Sequence, residues 1–338
     1  MIEHGGRLRQ AAQEFGIPIG HWLDLSTGIS PHSWPLRTLP EHCWQRLPED
    51  NDGLELAAAG YYGSPELLPV AGSQAAIQAL PRLRPPCRVG VVSPGYAEHA
   101  AGWRAAGHQV ELLHSADLEA RLPQLDVLVV INPNNPTGER FAPPVLLAWR
   151  AQLAARGGWL VVDEAFIDCT PASSLVPRCP LAGLIVLRSL GKFFGLAGAR
   201  VGFVWAEAGL RRALAELLGP WAISGPARQL AMQALADQEW QHKTRLRLLN
   251  EGAQLAELLI RVGLRPQGGT ALYQWVTLPA AADLHRALAR QAILVRLFTE
   301  PASLRFGLPA DRSAWQRLEQ GLVAAINDHQ DGNGAPST

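Results

Sequence analysis

The sequence predicts an α/β fold built on a mostly parallel sheet, followed by a small α+β domain. Three observations lead there. Short apolar runs recur between residues 89 and 205, helical stretches separate several of them, and a long helical segment then leads into a region of different pattern. A continuous apolar run of this length suits a strand buried on both faces. Strands that alternate with helices pair in parallel.

The runs are Val89–Val92, Val110–Leu113, Val127–Ile131, Trp159–Val162, Leu184–Leu187 and Val201–Trp205, with helices such as Ala97–Ala106 and Pro144–Ala155 between them. Upstream, residues 1 to about 45 are rich in Pro, His and Trp and predict irregular chain with one short helix near Gly6–Phe15. A helix follows at Leu54–Tyr62. Gly72-Ser73-Gln74 opens another that runs to about Leu80, where Pro81 removes a backbone donor. The segment from Ala227 to about Gly263 predicts a helical region long enough to link two domains, bent or broken once. Beyond it, strands are expected at Ala271–Val276 and Leu304–Phe306, and helices at Ala282–Gln291 and Arg312–Asn327. The domain reading is 1–45 for an N-terminal arm and part of the small domain, 46–245 for the large domain, 246–330 for the C-terminal small domain, and 331–338 for a disordered tail.

Composition excludes several classes. The 338 residues hold 30 Lys+Arg and 30 Asp+Glu with no long basic run, which argues against nucleic acid as a partner. The four cysteines, Cys43, Cys87, Cys169 and Cys179, form no CxxC pair and match no metal spacing, so no metal is expected. The start MIEHGGRLRQ lacks an apolar core and no run of some eighteen apolar residues exists. Neither a secretion signal nor a membrane span is expected, and the cytoplasm is the expected location. No GxGxxG follows a strand, and the Gly191-Lys192 pair lacks the rest of a P-loop.

Chemistry concentrates in three loops that each follow a strand: Asn132–Gly138 (NPNNPTG), the DEAFID segment starting at Asp163, and Ser189-Leu190-Gly191-Lys192. Each has an ordinary explanation by itself: a turn, a helix cap, a solvated lysine. In a parallel sheet, however, the carboxyl ends of the strands open into one crevice. An amide, a carboxylate and an amine gathered there suit a pyridinium cofactor. The carboxylate keeps the ring nitrogen protonated, and the amine attaches the aldehyde.

NPNNPTG, DEAF and SLGKFFGLAGARVG resemble, in order and separation, the motifs of fold-type I pyridoxal-phosphate (PLP) enzymes, the aspartate-aminotransferase fold, in the class that includes histidinol-phosphate aminotransferases. The resemblance covers nearly the whole chain and makes 46–245 the PLP-binding domain. It implies that Lys192 carries the cofactor and shuttles protons, that Asp163 pairs with the pyridine N–H, and that Asn135 bonds the phenolate oxygen. It further implies that Tyr96 stacks on the ring, and that Ser189, Arg200 and the turn Gly72-Ser73-Gln74 hold the phosphate, the last through a helix N-terminus. Three positions depart from the pattern: Gly191 replaces a Ser or Thr, Phe166 replaces a Tyr, and Leu47-Pro48 stands where relatives carry a Tyr-Pro pair.

The opening HGGRLRQAAQEFGIPIGHWLDLSTGISP and the late ILVRLFTEPASLRFGLP are similar to those of the threonine-phosphate decarboxylases of cobalamin biosynthesis. That resemblance implies decarboxylation of a phosphorylated amino acid. Arg305 then holds a substrate anion, Arg296 is the second candidate, and His4 belongs to an arm over the active site. Arg7 is a weaker candidate. Two anionic groups call for at least two cations, preferably planar guanidiniums. A homodimer is implied by resemblance. The competing readings are a histidinol-phosphate-type aminotransferase, which shares every cofactor residue, and a non-catalytic binding protein, against which the intact Lys192, Asp163, Asn135 and Arg200 set argues.

Overall fold

The computed structural model describes residues 4–332. The chain divides into two compact units. The large unit comprises Ser33–Asn135 and Glu139–Arg245; the small unit comprises Met1–His32, Pro136–Gly138 and Leu246–Thr338.

The large unit is organised by a seven-stranded sheet. Its spatial order is Leu67–Val70, Gly202–Trp205, Leu184–Ser189, Trp159–Asp163, Val127–Ile131, Arg88–Val92 and Gln109–Leu113. Gly202–Trp205 runs antiparallel to both neighbours, and every other pairing is parallel. All six expected strands are present to within two residues. The seventh, Leu67–Val70, was not foreseen. It carries Pro69 and lies at the sheet's edge, where a missing N–H is tolerated. The central run Val127–Ile131 is buried at every position, as a strand covered on both faces must be. On one face Val89, Val127, Val129, Val161, Ile185 and Leu187 pack against Ile77, Leu80, Trp103 and Leu214 of the covering helices.

Two helix ends differ from expectation. The helix opened at Gly72 runs over Ser73–Ala79, and the chain then passes through Pro81 as a 3-10 turn, Leu80–Leu83. Proline at the start of such a turn has no N–H to lose. The long helical region is broken once, into Gly225–Ala236 and Gln238–Arg261. Asp237 makes the break: its Oδ1 accepts the N–H of Trp240 at 3.1 Å, capping the second helix, and its Oδ2 accepts the indole N–H of Trp34 at 3.1 Å.

The small unit carries a four-stranded antiparallel sheet ordered Arg296–Thr299, Ala302–Gly307, Tyr273–Thr277, Gly268–Thr270. Leu23–Asp24 pairs in parallel with Ile293–Leu294. The helices are Leu8–Phe15, Ala281–Arg290 and Arg312–Gly332. Ala11 and Trp22 pack with Ala289, Ala292 and Leu294, which fastens the N-terminal arm to this unit. The last helix passes the expected end at Asn327, because no Gly or Pro stands between Asn327 and Gly332. The expected tail therefore loses residues 331 and 332 to the helix, and residues 333–338 lie outside the described residues. Among the described residues no helix is long and apolar enough to cross a membrane.

Candidate active site

Register brings the three loops together. Asp163 is the last residue of its strand, and its Cα partners are Ile131 on one side and Leu187 on the other. The chain leaves all three strands in one row. The Asn132 N–H donates to the Asp163 carbonyl at 2.8 Å, and the Glu164 N–H to the Leu187 carbonyl at 2.9 Å. Asn132 then staples its own loop: its Nδ2 donates to the Phe141 carbonyl and its Oδ1 accepts the Phe141 N–H. Asn134 Nδ2 donates to the Pro94 carbonyl at 2.8 Å, tying this loop to the one that carries Tyr96. Asn135, the next residue, is half-buried.

Lys192 is half-buried, with Nζ 5.4 Å from the ring centroid of buried Phe166. The lysine loop and the DEAFID loop thus meet. Asp163 is buried, its Oδ1 accepting the Ala165 N–H at 3.0 Å and its Oδ2 bonded to His99 Nε2 at 2.9 Å. Beneath these loops lies a buried ionic cluster. Arg188 reaches Glu164 at 3.2 Å and Asp168 at 2.5 Å, and the Tyr61 hydroxyl donates to Asp168 at 2.8 Å. Arg188 and Glu164 directly flank Ser189 and Asp163 in the chain, so this cluster fixes the two strand ends against each other.

The expected phosphate turn lies at the same edge. Val70 and Ser189 both pair with Gly202. Gly72 has φ +73°, and a Cβ there would lie 2.6 Å from Arg200 Nη2. Arg200 itself is left-handed, with φ 54° and ψ 51°, and exposed. Ser73, Ser189 and Gln74 are half-buried around them. Gln74 is committed to neighbours: its Oε1 accepts the Tyr96 hydroxyl proton at 3.0 Å and its Nε2 donates to Glu98 at 3.0 Å. Burial, reinforced by the charges of Glu98 and Asp163, pushes the Tyr96 phenol up to about 12. It therefore stays a neutral donor.

The departures noted in the sequence have local reasons. At Gly191 a Cβ would lie 3.1 Å from the Ala197 Cα, so a larger residue would crowd the turn; its N–H donates to Ser189 Oγ at 3.2 Å. Leu47 is exposed.

In the small unit, Arg296 and Arg305 are direct cross-strand partners and so share one face of the sheet. Arg305 is buried, donates from Nη2 to the Ser26 carbonyl at 2.7 Å, and lies 5.1 Å from the Tyr273 ring centroid. Burial, helped by the charge of Arg296, lowers its value to about 10. The HGG segment closes on the same point. A Cβ at Gly5 would lie 2.3 Å from the Ser26 carbonyl oxygen, so only glycine fits, and the Gly6 N–H donates to Ser26 Oγ at 2.7 Å. His4, Arg7, Ser26, Arg286 and Arg296 line one cavity of about 280 Å³. The structure therefore gathers His4 and Arg296 around one cavity, with Arg305 bonded to its Ser26 wall.

Sequence reasoning missed His99, Glu98 and Arg286. For His99 a signal existed: it stands three residues after Tyr96 on a predicted helix, hence on the same side of the first turn.

The aminotransferase class I and II family model matches residues 48–318. The chain belongs to this family. It is 58% identical over 323 residues to a threonine-phosphate decarboxylase of Pseudomonas aeruginosa, covering 96% of this chain and 98% of that one. It is 43% identical to a threonine-phosphate decarboxylase of Sinorhizobium, covering 95% and 98%. The structure of a histidinol-phosphate aminotransferase from Sinorhizobium meliloti, in complex with pyridoxal-5'-phosphate, superposes with a TM-score of 0.81 at 20% identity, covering 97% of this chain and 99% of that one. That likeness shows the fold, which is the aspartate-aminotransferase architecture.

Proposed function

We propose that this family member is a PLP-dependent threonine-phosphate decarboxylase. It converts L-threonine O-3-phosphate to (R)-1-amino-2-propanol O-2-phosphate and CO2, in cobalamin biosynthesis. The observation that carries the reading is nearly full-length identity of 58% to a threonine-phosphate decarboxylase. The geometry agrees with it.

The residues fit the cofactor. A Cβ at Gly72 would fill the space against Arg200, so a guanidinium and the start of a helix lie together with no side chain between them, a suitable cradle for a phosphate. A buried carboxylate and a half-buried amine stand at neighbouring strand ends. Gly72, Ser73, Ser189 and Arg200 would hold the phosphate. Gln74 supports this corner through Tyr96, and Tyr96, Asn135 and Asp163 would hold the ring. When bound, PLP takes up the electron pair left behind as CO2 departs.

The chain's own residues do the rest. Asp163 holds a proton on the ring nitrogen. Lys192 would attach the cofactor, and its Nζ would hold the proton that is returned to the substrate Cα. Arg305 and Arg296 take the two substrate anions, with His4 beside them. Two guanidiniums opposite each other on adjacent strands repel, and a bound dianion relieves that repulsion. The enzyme works as a homodimer in the cytoplasm; full activity of a monomer in solution would overturn the first half of that statement.

Purified protein supplied with PLP and threonine phosphate should release CO2 with no 2-oxo acid present. A strict requirement for a 2-oxo acid would make it an aminotransferase instead.

A further inference from the structure

We propose that Arg286 is a specificity-determining residue of the small unit's cavity, where its guanidinium, together with that of Arg7, receives the phosphate monoester of the substrate. The inference deepens the reading above and rests on it for the substrate. It begins from the lining of the cavity of about 280 Å³. Among the described residues that line it, Arg7, Arg286 and Arg296 bring three guanidiniums and His4 and His285 two imidazoles, against one carboxylate, Glu14. A pocket lined mainly by one sign of charge concentrates ions of the other sign.

Two helices deliver these groups. Helix Leu8–Phe15 packs Ala11, with Leu8, Ala12 and Phe15 beside it, against Ala289 and Leu294. That packing fixes its flank. Arg7, Gln10, Ala11 and Glu14 follow one another at helical spacing and line the cavity. Helix Ala281–Arg290 buries Ala281, Leu284, Leu288 and Ala289. Its flank is Ala282, His285 and Arg286, at i, i+3 and i+4, and all three line the same cavity. Ala282 is small and leaves room one turn before Arg286. The two apolar stripes thus aim two polar flanks at one space.

The chemistry of the ligand follows from the number of forks. A carboxylate is satisfied by one planar guanidinium. A phosphate monoester carries about −1.5 to −2 near neutral pH and three acceptor oxygens, so it takes donors from several sides. Arg305 and Arg296 would suffice for a substrate with two carboxylates. Arg286 and Arg7, added on the flanks of two helices, suit the larger charge and the extra oxygens of a phosphate. Arg286 is exposed, so it supports the fold little and its guanidinium remains within reach of solvent ligands.

The test compares PLP-loaded wild type with Arg286→Met, Arg286→Lys and Arg290→Met. Methionine and lysine keep the helix and an unbranched stem. Arg290 is exposed on the same helix and does not line the cavity, so it controls for the general field of a surface charge. The measurements are kcat and KM for threonine phosphate and the inhibition constants of two probes: inorganic phosphate, and L-threonine, which has the carboxylate and amine alone. Loss of a solvent-screened guanidinium contact predicts KM raised about 5- to 10-fold in Arg286→Met, with kcat changed less than about twofold. Inhibition by inorganic phosphate should weaken by a similar factor, and inhibition by L-threonine should stay within about twofold of wild type. Arg286→Lys, which keeps the charge without the fork, should lie between wild type and Arg286→Met. Arg290→Met should behave as wild type.

An unchanged KM in Arg286→Met would overturn the proposal. So would equal weakening of both probes, weakening of L-threonine alone, or an equal effect of Arg290→Met, since none of these marks a phosphate contact. Should Arg286→Met fail to fold, Arg286→Lys decides: a raised KM with weaker phosphate inhibition supports the proposal, and wild-type values overturn it. A wild type that binds PLP yet releases no CO2 overturns the decarboxylase reading alone. Calorimetric binding of inorganic phosphate to that PLP-loaded protein then decides this one: weaker binding in Arg286→Met supports it, and equal binding overturns it.

Discussion

The two units treat charge in opposite ways. In the large unit the buried polar groups at the strand ends have partners: Asp163 is hydrogen-bonded to His99, and Arg188 meets its opposites Glu164 and Asp168. In the small unit two arginines stand directly across a strand pair, one of them buried. Opposite charges in a dry interior hold a geometry, whereas like charges side by side cost energy unless an anion joins them. The large unit is thus arranged to keep a reaction centre in place. The small unit sets two cations side by side, which suits the anionic substrate proposed above. On the proposed reading, cofactor chemistry and substrate selection are written in different electrostatic styles.

The sharpest way to break this comparison is at the amine. Lys192→Ala should abolish both the cofactor's visible absorption and CO2 release; turnover surviving the change would remove Lys192 from its role. Next comes the ionic cluster. Arg188→Met leaves Glu164 and Asp168 buried without their cation and should cost about 3–5 kcal/mol in urea denaturation. A loss near zero would mean the cluster does not hold the strand ends. Third, Arg305→Ala should raise KM for threonine phosphate about 100-fold while PLP binding stays normal. An unchanged KM would take it out of the substrate site.

The fourth prediction separates the two styles. Arg296→Met should raise KM for threonine phosphate about 10-fold while PLP binding stays normal. An unchanged KM would refute the contrast.

The smallest effect concerns Asp52, which Arg228 grips with Nε and Nη2 at 2.7 Å each. Burial raises the Asp52 value, but the hydrogen bonds and charge of Arg228 outweigh it, and the net shift is downward. A lowered folded value stabilises above the ordinary carboxylate range and loses that contribution as pH falls through it. Asp52→Asn should therefore cost about 0.5–1 kcal/mol near neutral pH, after allowance for solvent screening, and almost nothing near about pH 2. Equal costs at both would mean the pair is not ionic.

Much of the large unit was legible because its strands are short apolar runs buried on both faces, a pattern with few alternatives. The reversal of Gly202–Trp205 was hidden in the run itself, since an apolar strand reads alike in either direction. The signal lay in the connection: only twelve residues separate Ser189 from Gly202 and they form no crossover helix, which a parallel return would need. In the site, the residues of the three loops were readable because a strand end predicts where a side chain emerges. His99 was not, because the sequence does not say which carboxylate a buried histidine meets. The glycines of HGG made sense only once Ser26, twenty residues on, was seen against them.

Arg200 carries a less obvious implication. Its backbone occupies the left-handed region that glycine adopts freely and arginine adopts at a cost of about 1–3 kcal/mol. A search for thermostable variants would therefore favour Arg200→Gly, and would be rewarded with a higher melting temperature. The same change would strip the guanidinium from above Gly72. On the cofactor reading proposed above, robustness and cofactor retention compete for this one position, and optimising the protein for heat alone would select a molecule that sheds its own prosthetic group.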